Sequence, residues 1–190
     1  MLKEQTLKII DEWKAKKDIK LYTPYKYFKG FDTKKEVVAK LNEMNTFKNE
    51  KDVTKVKFKT DEGIKNTKKS PYHITFEKRF GISSASSFEQ KSKVTGVPVD
   101  IIERVFKKGV AAWKSGHRPG TTSVQWGKAR VDSFLVLGCA AFSGDANLLQ
   151  ELYDRRGSSK KLAAFFKQNP SCPKYKLDNY RKRGSFPTFL

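Results

Sequence analysis

His73 and His117 are the only imidazoles in this 190-residue chain. Neither stands beside Cys, Asp or Glu at the spacing a metal site needs. There is no Gly-x-Ser-x-Gly elbow for a nucleophilic serine and no Gly-x4-Gly-Lys-Ser/Thr loop for a nucleotide phosphate. The acidic residues mostly face Lys at helical spacing, where paired acid–base work or metal-dependent phosphodiester cleavage would need clustered carboxylates. The expectation is a protein with no catalytic residues, no cofactor and no metal.

What remains is binding chemistry. Ser115-Gly116-His117-Arg118-Pro119-Gly120-Thr121-Thr122 combines glycines, hydroxyls, an arginine and a following helix start, a set that can hold an anion on backbone N–H groups. The competing reading is a rigid turn built by Gly116, His117, Pro119 and Gly120. Arg118 would then clamp turn carbonyls or Asp132, and this is the preferred role beside that of an anion contact. Arg130 lies four residues after Trp126 and could stack on its indole, with packing favoured over ligand contact. The end of the chain interleaves Tyr175, Tyr180, Phe186 and Phe189 with Lys174, Lys176, Arg181, Lys182 and Arg183. Single-strand binders mix cations and stacking rings in this way, and so do arms whose aromatics anchor in a partner's grooves.

Charge sets the class of partner. The chain has 40 Lys and Arg against 20 Asp and Glu, a net charge of +20, and residues 151–190 carry 10 basic side chains against 3 acidic. Self-repulsion at that excess favours an anionic partner: nucleic acid, an anionic membrane surface or an acidic protein face. With 37% hydrophobic residues, including 14 Phe and 7 Tyr, the chain has the means to fold. The longest apolar run, Phe134 to Phe142, falls far short of the roughly 20 residues of a membrane span and reads as a buried helix end. The two cysteines, Cys139 and Cys172, point to an intracellular, reducing compartment or to one disulfide.

The elements that would position these groups are mostly helices. Leu2, Leu7, Ile9, Ile10 and Trp13 have helical spacing, and Thr33-x-x-Glu36 reads as a capping box before Val37, Val38, Leu41 and Met44. Val56 and Phe58 alternate with Lys55, Lys57 and Lys59, the pattern of one short strand. A short helix carries Ile74, Phe76 and Phe80 to Gly81. Residues 88–105 read as a helix-turn-helix-like pair with Ser92 and Gly96 at the turn, although Lys91 stands where an apolar residue is usual. Asp100 and Glu103 near the second helix start oppose phosphate approach, which argues against major-groove reading. Further helices carry Val124, Trp126, Val131 and Phe134, then Leu148, Leu149 and Leu152, then Leu162, Phe165 and Phe166. The expected fold is a mainly α, small helical domain with at most a short β element and extended loops or arms. Its expected parts are an N-terminal helix arm (1–22), a helical core (23–150) and a basic aromatic C-terminal extension (151–190).

One stretch resembles a known family. Gly96-Val97-Pro98, Ile102-x-x-Val105-x-x-x-Gly109-Val110-Ala111-Ala112-Trp113, Gly116-His117-Arg118-Pro119-Gly120-Thr121 and Gln125-Trp126-Gly127-x-Ala129-Arg130-Val131 carry the likeness. Thr23–Gly30 and Gly144–Leu148 extend it. These residues resemble an uncharacterised domain family of large DNA viruses of algae and protists, also found in some phages. The resemblance implies a virion setting and a minor capsid or cement protein of a large icosahedral double-stranded DNA virus. Its partners would be capsid proteins or other acidic surfaces, with double-stranded DNA as an alternative, in an oligomeric assembly without a membrane span.

Overall fold

The computed structural model describes residues 1–52, 55–64, 68–116 and 119–175. Among them the chain forms eight α-helices and no strand: α1 (Lys3–Lys17), α2 (Lys34–Phe47), α3 (Pro71–Phe80), α4 (Phe88–Thr95), α5 (Val99–Trp113), α6 (Ser123–Leu135), α7 (Ala146–Asp154) and α8 (Lys160–Lys167). The fold is therefore mainly α, as the apolar spacing predicts. It divides into two compact units, residues 1–68 with 110–126 and residues 69–109 with 127–190. The expected boundaries at 22 and 150 do not mark these units.

In the first unit α1 packs on α2. Ile10, Val37, Leu41 and Met44 are almost wholly buried, and the Trp13 indole N–H donates to Asn42 Oδ1 at 3.2 Å. Residues 1–22 thus belong to a core and are no arm. The helix start at α2 follows the predicted box: Thr33 Oγ1 accepts from Glu36 N at 3.2 Å, and Glu36 Oε2 accepts from Thr33 N at 2.9 Å. Val56 and Phe58 are buried between exposed lysines, yet no strand forms there among the described residues. Their alternation comes from two apolar side chains anchoring a connecting segment in the core beside Phe47 and Trp113.

The second unit has its own apolar core, with Phe76, Ile101, Ile102, Val105, Val131, Phe134, Leu137, Leu149 and Leu152 at its centre. Ser87 and Gln90 box the start of α4, and Gly96 ends it at φ 78, a left-handed value that glycine adopts without a Cβ penalty. A Cβ on Gly109 would lie 2.7 Å from Gly127 Cα, so α5 and α6 pass at a distance only glycines permit. Two residues expected inside are outside: Ile74 is 54% exposed and Val124 50%.

Pro170, Pro173, Gly184 and Pro187 predict that residues 155–190 are too broken to build a core. Leu152, Leu162 and Phe165 nevertheless complete the second core, with the Phe165 ring stacked on Phe134. The backbone then returns along the end of α6, Ser171 N and Cys172 N donating to the carbonyls of Val136 and Leu137. Cys139 and Cys172 are joined in a disulfide across 33 residues. The broken stretch is thus held by a covalent tie and backbone bonds, which composition alone does not reveal. Residues 176–190 lie outside the described residues.

Candidate docking surface and buried charge clusters

The described residues of the turn after α5 are tied into their own unit. Its Trp113 indole N–H donates to Thr121 O at 2.7 Å, and Pro119 is buried. Gly116 has φ 140, and a Cβ there would collide with Met44 Cε and press on Tyr27. Gly120 has φ 76. Thr122 and Gln125 then exchange side-chain-to-backbone bonds of 3.2 and 3.0 Å, which fixes the start of α6. His117 and Arg118 lie outside the described residues. Asp132, the carboxylate expected for Arg118, is engaged elsewhere.

Arg130, read as packing on Trp126 or else as a partner contact, is an internal clamp. Its Nε and Nη2 reach the buried carboxylate of Asp145 in a fork at 2.9 Å each. Gly144 leaves room for the guanidinium, since a Cβ there would lie 2.6 Å from Nη2. Lys108 Nζ donates to Gly144 O and Asn147 Oδ1 at 2.7 Å. The Gly144–Leu148 stretch is therefore a charge-clasped turn into α7. Bidentate guanidinium–carboxylate geometry is the strong form of such a pair.

Sequence spacing missed two further clusters. In the first unit, Lys40 is fully buried, 2.6 Å from Asp61 Oδ1, with its ammonium 4.1 Å from the centroid of the Phe58 ring. Burial pushes this lysine below its usual range while Asp61 pulls it back. In the second unit, Lys91 and Asp132 form a fully buried pair, and His73 Nδ1 lies 2.6 Å from the other Asp132 oxygen. The signal present in the sequence is Lys91 itself, a cation at a position of the α4–α5 pair where an apolar residue is usual. Asp132 is what it meets.

The α4–α5 pair is backed by α8: a Cβ on Gly96 would lie 2.6 Å from the Lys161 Cβ, and Lys161 Nζ donates to Lys93 O at 2.8 Å. Asp100, on the first turn of α5, receives both guanidinium nitrogens of Arg155 at 2.6 and 3.2 Å. Arg155 also reaches Glu151, which pairs with Arg104 at 2.7 Å. The hydrogen bonds from Arg155 and Arg104 hold Asp100 and Glu151 below the usual carboxylate range. Glu77, bonded to Lys69 and to Ser84, is drawn from 4.5 to about 2. Because its folded value is depressed, the stability Glu77 supplies is present above pH 4.5 and is lost as pH falls toward 2. Thermal melting across that window is expected to show a progressive decline in Tm. Glu77→Gln is expected to shrink the decline, and an identical pH profile in that variant would contradict the assignment.

The outward-facing cations are of another kind. Lys55, Lys57 and Lys59 are exposed while Val56 and Phe58 between them are buried at 6% and 8%. These ammonium groups stand outward on a segment that Val56 and Phe58 anchor in the core of its unit. Lys174 is exposed, and Tyr175 beside it stacks on Phe142 with ring centroids 4.2 Å apart. Lys176, Arg181, Lys182 and Arg183 lie outside the described residues.

Among the described residues no group of three or more His, Cys, Asp or Glu gathers as a metal site. No described helix is long and apolar enough to cross a membrane. Residues 24–152 match the model of a family described as a family of unknown function, DUF5824. No curated protein and no solved structure matches the chain.

Proposed function

The chain belongs to the DUF5824 family, and from that premise we propose that it is a non-enzymatic docking protein, a minor capsid or cement component of a large double-stranded DNA virus. Its outward-facing cations bind acidic capsid surfaces or the backbone of packaged DNA. The observation that supports this most is the division of its charges. The deepest cations, Lys40 and Lys91, are each neutralised by a carboxylate of their own unit, and Arg130 is closed on Asp145. Lys55, Lys57 and Lys59 stand outward on an anchored segment. Cations fixed in this way bind phosphate or carboxylate arrays through counterion release, with little regard to base sequence. The virion setting rests on the resemblance carried by residues 96–135. Groove reading by α5 has no comparable support, since Asp100 on its first turn faces Arg155.

A salt titration tests the docking chemistry. Binding to mixed-sequence duplex DNA is expected to weaken steeply with salt and to vary little between sequences. Replacing Lys55, Lys57 and Lys59 with Gln is expected to flatten the log–log salt slope by about 0.9 for each phosphate that is no longer neutralised. These side chains are exposed, so the variant should keep its melting temperature. An unchanged slope with unchanged affinity would remove this face from the reading.

A further inference from the structure

Among the described ion pairs, Lys91 with Asp132 has an arrangement that goes beyond electrostatics. The Lys91 side chain is 1% exposed and that of Asp132 0%. Helices α4 and α6 hold Nζ in direct contact with Oδ1. A third ionisable group, His73 on α3, sits on the remaining oxygen Oδ2 at 2.6 Å. The Phe76 ring lies beside the ammonium, 4.6 Å from Nζ to the centroid. The other buried lysine, Lys40, has a carboxylate and a ring, but its Asp61 is 11% exposed. Among the described residues only the Lys91 cluster places an amine, a carboxyl and an imidazole together with water kept from the first two.

We propose that Lys91 and Asp132 condense into an intramolecular isopeptide bond, with His73 holding the second carboxylate oxygen. One proton passes from the Lys91 ammonium to Oδ1, the oxygen it contacts, and the freed nitrogen lone pair forms the bond to Asp132 Cγ. The negative charge that builds on Oδ2 is held by the Nδ1–H of His73. The nitrogen then sheds its second proton to Oδ1, the Cγ–Oδ1 bond breaks, and this oxygen leaves as water. Oδ2 remains as the amide carbonyl. An ammonium and a carboxylate thus become one secondary amide and one water, with no oxidant, reductant or co-reactant. Lysine is an established covalent nucleophile when held against an electrophilic carbon. Fixing the two groups in contact replaces a bimolecular encounter by effective concentrations on the order of 10⁵–10⁸ M. Exclusion of water suppresses the reverse hydrolysis. His73, whose side chain is 18% exposed, gives the departing water an outlet that the buried pair lacks. The bond would tie α4 to α6 across 41 residues.

This inference stands apart from the docking reading, and the failure of either leaves the other intact. The test is the intact mass of the full chain, measured denatured after the disulfide has been reduced. The expected mass is lower than that of the sequence by one water, with fragmentation giving a branched peptide that joins the segments around Lys91 and Asp132. A mass equal to that of the sequence would overturn the proposal. So would a one-water deficit located elsewhere, or one that persists in Lys91→Arg. In His73→Ala or His73→Gln, whichever keeps the wild-type helical content, the deficit is expected to be lost or incomplete. A full deficit in either variant would overturn the role given to His73.

Discussion

Asp132→Ala is expected to destabilise the second unit by roughly 3–5 kcal/mol relative to the uncondensed ion pair, the range for removing one partner of such a pair; loss of the isopeptide bond, common to Asp132→Ala and Lys91→Met, adds equally to both. The reason is the neighbourhood of Lys91. Its ammonium is buried on α4 with the Phe76 ring on one side and Asp132 as its carboxylate. Without that carboxylate a charge remains buried in the apolar core of this unit. Lys91→Met is expected to be milder, because Asp132 keeps His73 as a partner and the methionine fills the vacated space without a charge. Denaturant unfolding of the two variants beside the wild type measures the difference. Equal losses would mean that the unpaired lysine is not the source of the penalty.

The disulfide carries the second large effect. A tie between Cys139 and Cys172 closes a loop of 33 residues. In the chain-entropy account such a loop is worth about 3–4 kcal/mol, through restriction of the unfolded chain. Loss of the bond should therefore lower Tm by roughly 2–4 °C for each kcal/mol. The chain that follows α8 is held near the end of α6 by this bond and by backbone hydrogen bonds to Val136 and Leu137. Arg79 adds bonds from α3 to Val136 O, to Gln168 and to Ser171. The expected result is a clear drop in Tm when reductant is added to the wild type, and no effect of reductant on a Cys139→Ala, Cys172→Ala double variant. A reductant-insensitive wild type would place the stability of this segment in Arg79 and the backbone bonds alone.

Local chemistry made much of the fold legible. Thr33 with Glu36, and Ser87 with Gln90 followed by Gly96, mark helix ends through bonds between residues three or four apart, so the sequence displays both partners at once. Apolar periodicity likewise located the buried faces of α2 and α5. It failed where one side chain faces solvent at the edge of a stripe, as with Ile74 and Val124. Alternation at 55–59 suggested a strand because burial of Val56 and Phe58 has the same period whether a neighbouring strand or a helical core receives them. The charge clusters were not legible, for they join residues far apart: Lys40 to Asp61, Lys91 and His73 to Asp132, Arg130 to Asp145. No spacing rule connects such pairs. Lys91 on an otherwise packed helix pair was the one visible anomaly. Arg130 and Trp126 were read together because they are four apart, yet Arg130 turns to Asp145 and Trp126 packs edge-on to Tyr27 at 5.8 Å.

The most direct test of the capsid reading is quantitative mass spectrometry of purified, nuclease-treated particles of the virus proposed to encode this chain. A shell component docked through fixed cations should be found at a constant ratio to the major shell protein in every preparation. It should leave the particle in high salt, as screening weakens its contacts with acidic partners. Absence from washed particles, with the chain recovered from infected cells, would contradict the account.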